Sequence, residues 1–339
     1  MARRHAFSVF LASLGVLLAA ATARAEAVSV AALRLSSSGP LFIAQDRGHF
    51  AAEGLDVTFR FFTAAQPVAV AVTTGDADFG VTGLTAGFYN LAGKGALRIV
   101  AAQSADVPGF HLSAYLATPR AWDAGLRSLA DFPGRSVGIT QTGSTFHYMI
   151  GLLARKEGFE LARVRLVPLQ SIPNMVSAFK GGQVDGLILP SSVALPMIEA
   201  GEGRLLGWVG DATPWQLGAL FTSGRAAADR RPLVARFVRA YARGAAEYHA
   251  AFNQRDAAGR PVAGEGYAAL MPILEKYTQQ PAARLATGLP WVDPAGRLDV
   301  GDIHDQVAWW QAQKLVDPAV DAAAILDLGF VEGHRNVPR

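Results

Sequence analysis

Four short polar segments are where this sequence offers chemistry. They are Ser36-Ser37-Ser38-Gly39-Pro40, Thr82-Gly83-Leu84-Thr85, Thr140 to Thr145, and Pro190-Ser191-Ser192. Each follows a short apolar run, and the first three lead into helical patterns. In parallel α/β sheets, loops at the carboxyl ends of strands hold the ligands. Hydroxyls and glycine N–H groups there can hold a small molecule. Thr142-Gly143-Ser144-Thr145 opens a helical pattern, so its unpaired N–H groups and helix dipole suit a carboxylate, sulfonate or phosphate-like group. An N-cap role for Ser144 or Thr145 is compatible with that. His147, one turn further on, is placed to donate to the same ligand. The loops contain no Lys or Arg. Aromatic anchors are sought in Phe42, after the first loop, and in Trp208 and Trp215, which flank Gly210-Asp211. The expected ligand set is Ser38, Gly39, Pro40, Phe42, Gly83, Leu84, Thr142, Ser144, Thr145, His147, Ser191, Trp208 and Trp215.

Other chemistries are poorly supplied. The chain has no cysteine. That excludes disulfides, thiolate metal sites, a cysteine nucleophile and a lipoprotein anchor. No pair of histidines has the HExxH spacing, and neither GxGxxG after a strand nor GxxxxGK[ST] occurs. There is no G-x-S-x-G elbow. No catalytic residue, metal or cofactor is expected. Basic residues do not cluster with aromatics, which argues against nucleic acid.

The elements that must position these loops alternate strand and helix, as in α/β units. Val28–Leu35, Leu55–Phe61, Ala77–Val81 and Leu97–Ala102 read as strands of a first unit. Ser136–Thr140, Val164–Leu169 and Val184–Leu189 read as strands of a second. Phe146, Met149, Ile150 and Leu153 form one helix face. Ala71-Val72-x-x-Gly75-x-Ala77-Asp78 matches Ala178-Phe179-x-x-Gly182-x-Val184-Asp185 at a constant offset of 107 residues, which favours two lobes of like architecture. The last third reads as helices at Pro232–Phe252, Tyr267–Tyr277 and Val300–Gln313, with a short one within Ala319–Leu326, all packing onto a lobe.

At 339 residues and 51% hydrophobic, the chain has material for two packed domains. Arg3-Arg4-His5, the apolar run Phe7–Ala21 and Ala23-Arg24-Ala25 read as a Sec-type signal peptide spanning residues 1–25. Three of the 31 basic residues lie there and no acid does, so the mature chain balances 28 basic against 28 acidic residues. The pI near 9.3 therefore belongs mostly to the export tag.

Ser38-Gly39-Pro40-Leu41-Phe42-Ile43-Ala44, followed by Gly48-His49-Phe50 and Glu53-Gly54-Leu55-Asp56-Val57, resembles the opening of the nitrate/sulfonate/taurine and thiamine-pyrimidine type substrate-binding proteins of ABC importers. The Gly75/Asp78 and Gly182/Asp185 units, Leu129–Gly138 and the tail with Trp309-Trp310 match as well. The resemblance implies a two-lobed periplasmic-binding-protein fold of type II-like architecture. A hinge of two crossings would close the lobes on a ligand. It places lobe one at 27–116 plus 219–339 and lobe two at 117–218. It further implies a monomer in the periplasm, serving an ABC permease and ATPase, with a small organic ligand: an aromatic acid, a sulfonate or a pyrimidine-like molecule. Two alternatives accompany it, a thiamine-pyrimidine-synthase-like enzyme and a ligand-presenting sensor subunit. The enzymes depend on a cysteine-rich iron motif that this chain lacks.

Overall fold

Short apolar runs bounded by glycine and polar turns fold as strands, and the amphipathic runs between them fold as helices. The computed structural model describes residues 24–335, so the expected signal peptide lies almost wholly outside the described residues. The chain runs through β1 (Glu26–Leu33), α1 (Gly39–Asp46), α2 (His49–Ala52), β2 (Leu55–Phe62), α3 (Ala65–Thr74), β3 (Phe79–Gly83), α4 (Ala86–Gly93), β4 (Leu97–Ala102) and β5 (Ala105–Asp106). It continues through β6 (Ser113–Ala117), α5 (Pro119–Asp123), β7 (Ser136–Ile139), α6 (Thr145–Glu157), β8 (Arg165–Pro168), α7 (Ile172–Lys180), β9 (Gly186–Pro190), α8 (Ser191–Glu199), β10 (Arg204–Trp208), α9 (Val209–Ala212) and β11 (Trp215–Gln216). It then adds β12 (Gly218–Ser223), α10 (Gly224–Asp229), α11 (Arg231–Phe252), α12 (Tyr267–Thr278), α13 (Ala282–Leu285) and α14 (Val300–Ala312).

Two five-stranded sheets result, ordered β2-β1-β3-β12-β4 and β10-β6-β9-β7-β8. β1 pairs in parallel with β2 and β3, and β7 pairs in parallel with β8 and β9. Each sheet also takes one strand that runs against its neighbours, β12 in the first and β6 in the second. β5 and β11 pair with each other as a small antiparallel ribbon where the chain crosses between the sheets. β6 lies in the second sheet, although the sequence reading ended the first lobe at 116. Thr118, just after β6, caps α5 by accepting from Ala121 N–H.

The internal repeat has a structural counterpart. The Ser29 N–H and hydroxyl both donate to Asp78 Oδ2, at 2.9 and 3.0 Å. The Ser136 N–H and hydroxyl donate to Asp185 Oδ2 in the same way, at 2.8 and 2.6 Å. Both pairs carry the 107-residue offset, and each ties the entry of β3 or β9 to the neighbouring parallel strand.

The apolar faces of α1, α11 and α12 cover one side of the first sheet, around Phe42, Phe79, Phe237 and Tyr241. A second core is continuous through both sheets and includes Tyr89, Tyr115, Tyr148, Trp215 and Trp310. The expected short helix within 319–326 is a run of turns, and the expected loop Pro190–Ser192 is already helix from Ser191. Among the described residues no helix is long and apolar enough to cross a membrane.

Candidate functional site

The carboxyl ends of the parallel strands in both sheets face a shared cavity of about 60 Å³. That is well above the roughly 10–15 Å³ needed to admit a single water. From the first sheet come Leu33 at the end of β1, Leu35, Ser36 and Ser37 after it, Ala64 and Ala65 at the N-cap and first residue of α3, Thr82 and Gly83 at the end of β3, and Gln103. From the second come Leu112 and Ser113 at the start of β6, Thr140 after β7, Thr145, Phe146 and Met149 on α6, Ile172 on α7, and Pro190. Leu217, between β11 and β12, completes the wall.

The lining is apolar with neutral polar groups set into it, and no lining residue is charged. Ser37, Thr82, Thr140, Thr145 and Gln103 are buried residues whose side-chain polar groups make no hydrogen bond to other described residues. Gln103 is 2% exposed and its Oε1 is without a partner. A buried polar group left in that state costs about 1–3 kcal/mol. That oxygen, with four unpaired hydroxyls around the same cavity, is the arrangement a hydrogen-bonding ligand would satisfy. Two further hydroxyls are engaged: Ser36 donates to the Gly288 carbonyl at 3.1 Å, and Ser113 donates to Asp106 Oδ2 at 3.3 Å.

Asp106 sits behind this wall, on one crossing strand. Its Oδ2 also accepts from Trp215 Nε1, on the other crossing, at 3.1 Å. Its Oδ1 is buried without a partner. Burial pushes the carboxyl up to about 7, against the lowering effect of the Trp215 and Ser113 hydrogen bonds.

Of the residues expected from sequence, Gly83 and Thr145 line the cavity. The others do not, and each has a physical reason. Phe42 is buried in the first core, stacked on Tyr277 with ring centres 4.7 Å apart. Ser38, Gly39 and Pro40 turn into α1, where Gly39 packs against Tyr248 and Pro40 O lies close to Gly244. Leu84 is buried, its N–H bound to Leu217 O. Thr142 is exposed, and Ser144 caps α6 by accepting from His147 N–H. His147 Nδ1 accepts from Gly143 N–H at 3.1 Å, and its ring meets Trp309 and Trp310 edge to face. Burial pulls that imidazole down to about 4, so it is neutral at pH 7 and not a cationic ligand contact. Ser191 begins α8 against Gly288. Trp208 stacks on His111 at 4.3 Å, and Trp215 is fully buried at the crossing.

The sequence reading missed Gln103, Ser113 and the aliphatic lining. Gln103-Ser104, a polar pair directly after the apolar run of β4, was a usable signal. Leu33, Leu35, Leu112, Ile172 and Leu217 carried none, because an apolar residue at a strand end reads as core.

Two lobes of parallel α/β sheet, joined by a two-stranded crossing and enclosing a cavity between their strand ends, define the bilobal binding-protein fold. The alkanesulfonate-binding protein SsuA from Xanthomonas axonopodis pv. citri, bound to MOPS, shares it with a TM-score of 0.70 at 20% identity, over 89% of this chain and 98% of that one. The periplasmic nitrate-binding protein NrtA from Synechocystis PCC 6803 shares it with a TM-score of 0.70 at 13% identity, over 88% of this chain and 84% of that one. The family model described as NMT1/THI5 like matches residues 36–255, and this chain belongs to that family. A curated binding protein of Brucella abortus (strain 2308) is 30% identical over 143 residues. That match spans 42% of this chain and 41% of the relative.

Proposed function

We propose that this chain is the solute-binding component of an ABC importer, working as an exported monomer in the periplasm. It captures one small organic molecule between its lobes and presents it to a permease and ATPase. One observation carries the reading: both lobes line one uncharged cavity with polar side chains that make no hydrogen bond to other described residues, Ser37, Thr82 and Gln103 from the first and Thr140 and Thr145 from the second. Binding is favoured over catalysis because no lining residue offers an acid, a base or a thiol.

The lining also narrows the ligand. Any anion here would be buried with no cationic side chain beside it, so its desolvation cost has to be offset by burial of an apolar body, which nitrate and bicarbonate lack. The N-terminal turns of α3, α6 and α7 supply only partial positive charge. A molecule with an apolar body and a neutral or singly acidic head matches the aliphatic wall, Phe146 and the hydroxyl set. Aromatic acids, organic sulfonates and pyrimidines are of this kind; nitrate is not.

Thermal-shift screening of those three classes, beside nitrate and bicarbonate, tests the proposal. A member of the organic classes is expected to raise the melting temperature, and Gln103→Leu to weaken its binding by about 1–3 kcal/mol. A preference for nitrate or bicarbonate, or an unchanged affinity in Gln103→Leu, overturns the ligand assignment. A protein that no compound in the panel or in a cell extract stabilises overturns the binding reading itself.

A further inference from the structure

The two lobes touch outside the cavity as well as around it, and the contacts are made where side chains are missing. At the cavity, a Cβ on Gly83 would lie 2.7 Å from Thr145 Cγ2, across from the other lobe. Beside it, a Cβ on Gly143 would lie 2.9 Å from Ala86 Cβ, and the Ala86 N–H donates to Gly143 O at 2.9 Å. Gly143 has φ +84°, a conformation that a side chain would oppose in any case.

Two more such contacts lie away from the ligand space. Gly151 is on α6, in the second lobe, and a Cβ there would run into Trp309 Cζ2 of α14. α14 itself rides on the first lobe and the return crossing. Tyr89 Oη donates to Gln306 Oε1 at 2.8 Å, and Gln306 Nε2 donates to Gln216 O at 2.8 Å. The Trp309 ring cannot swing freely, because it is packed against Tyr148 and Trp310, with ring centres 5.1 and 4.6 Å away. Gly288 is the second contact. Ser36 and the core residues Leu285 and Leu289 hold its segment to the first lobe. A Cβ on Gly288 would overlap Ser191 Oγ and lie 2.7 Å from Ser191 Cβ, at the start of α8 in the second lobe.

We infer that Gly151 against Trp309, and Gly288 against Ser191, are seats that set how far the lobes close, and so are positioning residues for ligand affinity that never touch the ligand. The inference rests on the lobe-closure reading above. Protein interiors are close-packed, so an added methyl must be accommodated by movement of one side. The chain passes between the lobes only at the two-stranded crossing, so the angle between the lobes is the coordinate along which such an overlap is relieved. A wedge at either glycine therefore favours the open form, and the closed, ligand-competent population falls.

The test uses the absence of cysteine. Asp76→Cys and Glu160→Cys, exposed positions on opposite lobes, carry a fluorophore pair for single-molecule distance measurement without added ligand. The parent pair is expected to show a short-distance population. Gly151→Ala and, separately, Gly288→Ala should reduce it fivefold or more. Gly151→Ala combined with Trp309→Ala should recover at least half of the loss, because the ring that the methyl strikes is gone. Unchanged distances in both glycine variants, no recovery in the double variant, or a parent with no short-distance population each overturn the inference. A parent that closes and responds as described, yet binds nothing in the screen, contradicts the proposed function and leaves the seats intact.

Discussion

A carboxyl group buried away from the surface, with one oxygen without a donor, is costly to ionise. Asp106 is such a group. Its carboxyl is raised from an ordinary value of 3.8 to about 7 by burial, the hydrogen bonds from Trp215 and Ser113 notwithstanding, and the nearby charge of Asp211 adds to the rise. An acid whose folded pKa is raised binds its proton more tightly in the native state. Between pH 4 and 7 the folded protein therefore holds a proton that the unfolded chain has released, and stability falls as pH rises through that window. Above pH 7 both states are ionised and the loss levels off at about 4 kcal/mol. Asp106→Asn keeps an oxygen to accept from Trp215 and Ser113 but does not titrate. Melting temperatures of the parent and Asp106→Asn, taken from pH 4 to pH 8, should diverge progressively, the parent losing ground towards pH 7. Parallel curves would show that Asp106 does not carry this penalty. Nothing in the sequence singles out Asp106, since its behaviour comes from what encloses it. The three expected aromatic anchors lie away from the cavity for a related reason. Phe42, Trp208 and Trp215 stand next to polar turns in the sequence, but large rings gain more from packing on Tyr277, His111 or Tyr148 than from waiting at a cavity edge.

Between elements, the repeated Ser–Asp corner shows what the pattern in the sequence meant and what it hid. The spacing of Gly75 and Asp78 against Gly182 and Asp185 was legible as a helix stop followed by a buried strand. The reason for an aspartate at that place was not. In each lobe it accepts both the N–H and the hydroxyl of a serine one strand away, while its own N–H donates back to that hydroxyl, at 3.2 Å in the first lobe and 3.0 Å in the second. Removing either carboxylate leaves the serine groups short of an acceptor. Asp78→Ala and Asp185→Ala should each lower unfolding free energy by about 1–3 kcal/mol, read as a shift of the urea midpoint. An effect confined to one of them would mean that the two corners are alike in geometry only. The strands and helices of the parallel units were readable because glycines and turns bracket them. β6 and β12 were not, because Ser113–Ala117 is buried at every position and Gly218–Ser223 at all but its last, so neither shows alternation. Those are the two strands adjoining the crossing pair Ala105–Asp106 and Trp215–Gln216.

At the scale of the molecule, two sheets joined by a two-stranded crossing should unfold separately unless something else couples them. Here the second core is continuous from one sheet to the other, and Trp310 lies within it. Trp310 is fully buried on α14, a helix fastened to the first lobe through Tyr89 and to the crossing through Gln216. Its ring reaches into the second lobe, 5.4 Å from the His147 ring and 5.6 Å from that of Tyr148. The sequence reading had this helix packing onto one lobe, because periodicity gives the apolar face but not how many neighbours share it. Shared burial makes the lobes lose the same contacts together, so the parent should melt in one calorimetric transition with equal van't Hoff and calorimetric enthalpies. Trp310→Ala removes about 3–5 kcal/mol of packing, part of it the contact of α14 with His147 and Tyr148 of the second lobe. The variant should melt in two resolved transitions, the second sheet separating from the first. If instead it melts in a single transition at a lower temperature, the crossing strands β5 and β11 are sufficient for cooperativity. The coupling would then have to be sought at Trp215 and Asp106, where the two crossings are bonded to each other.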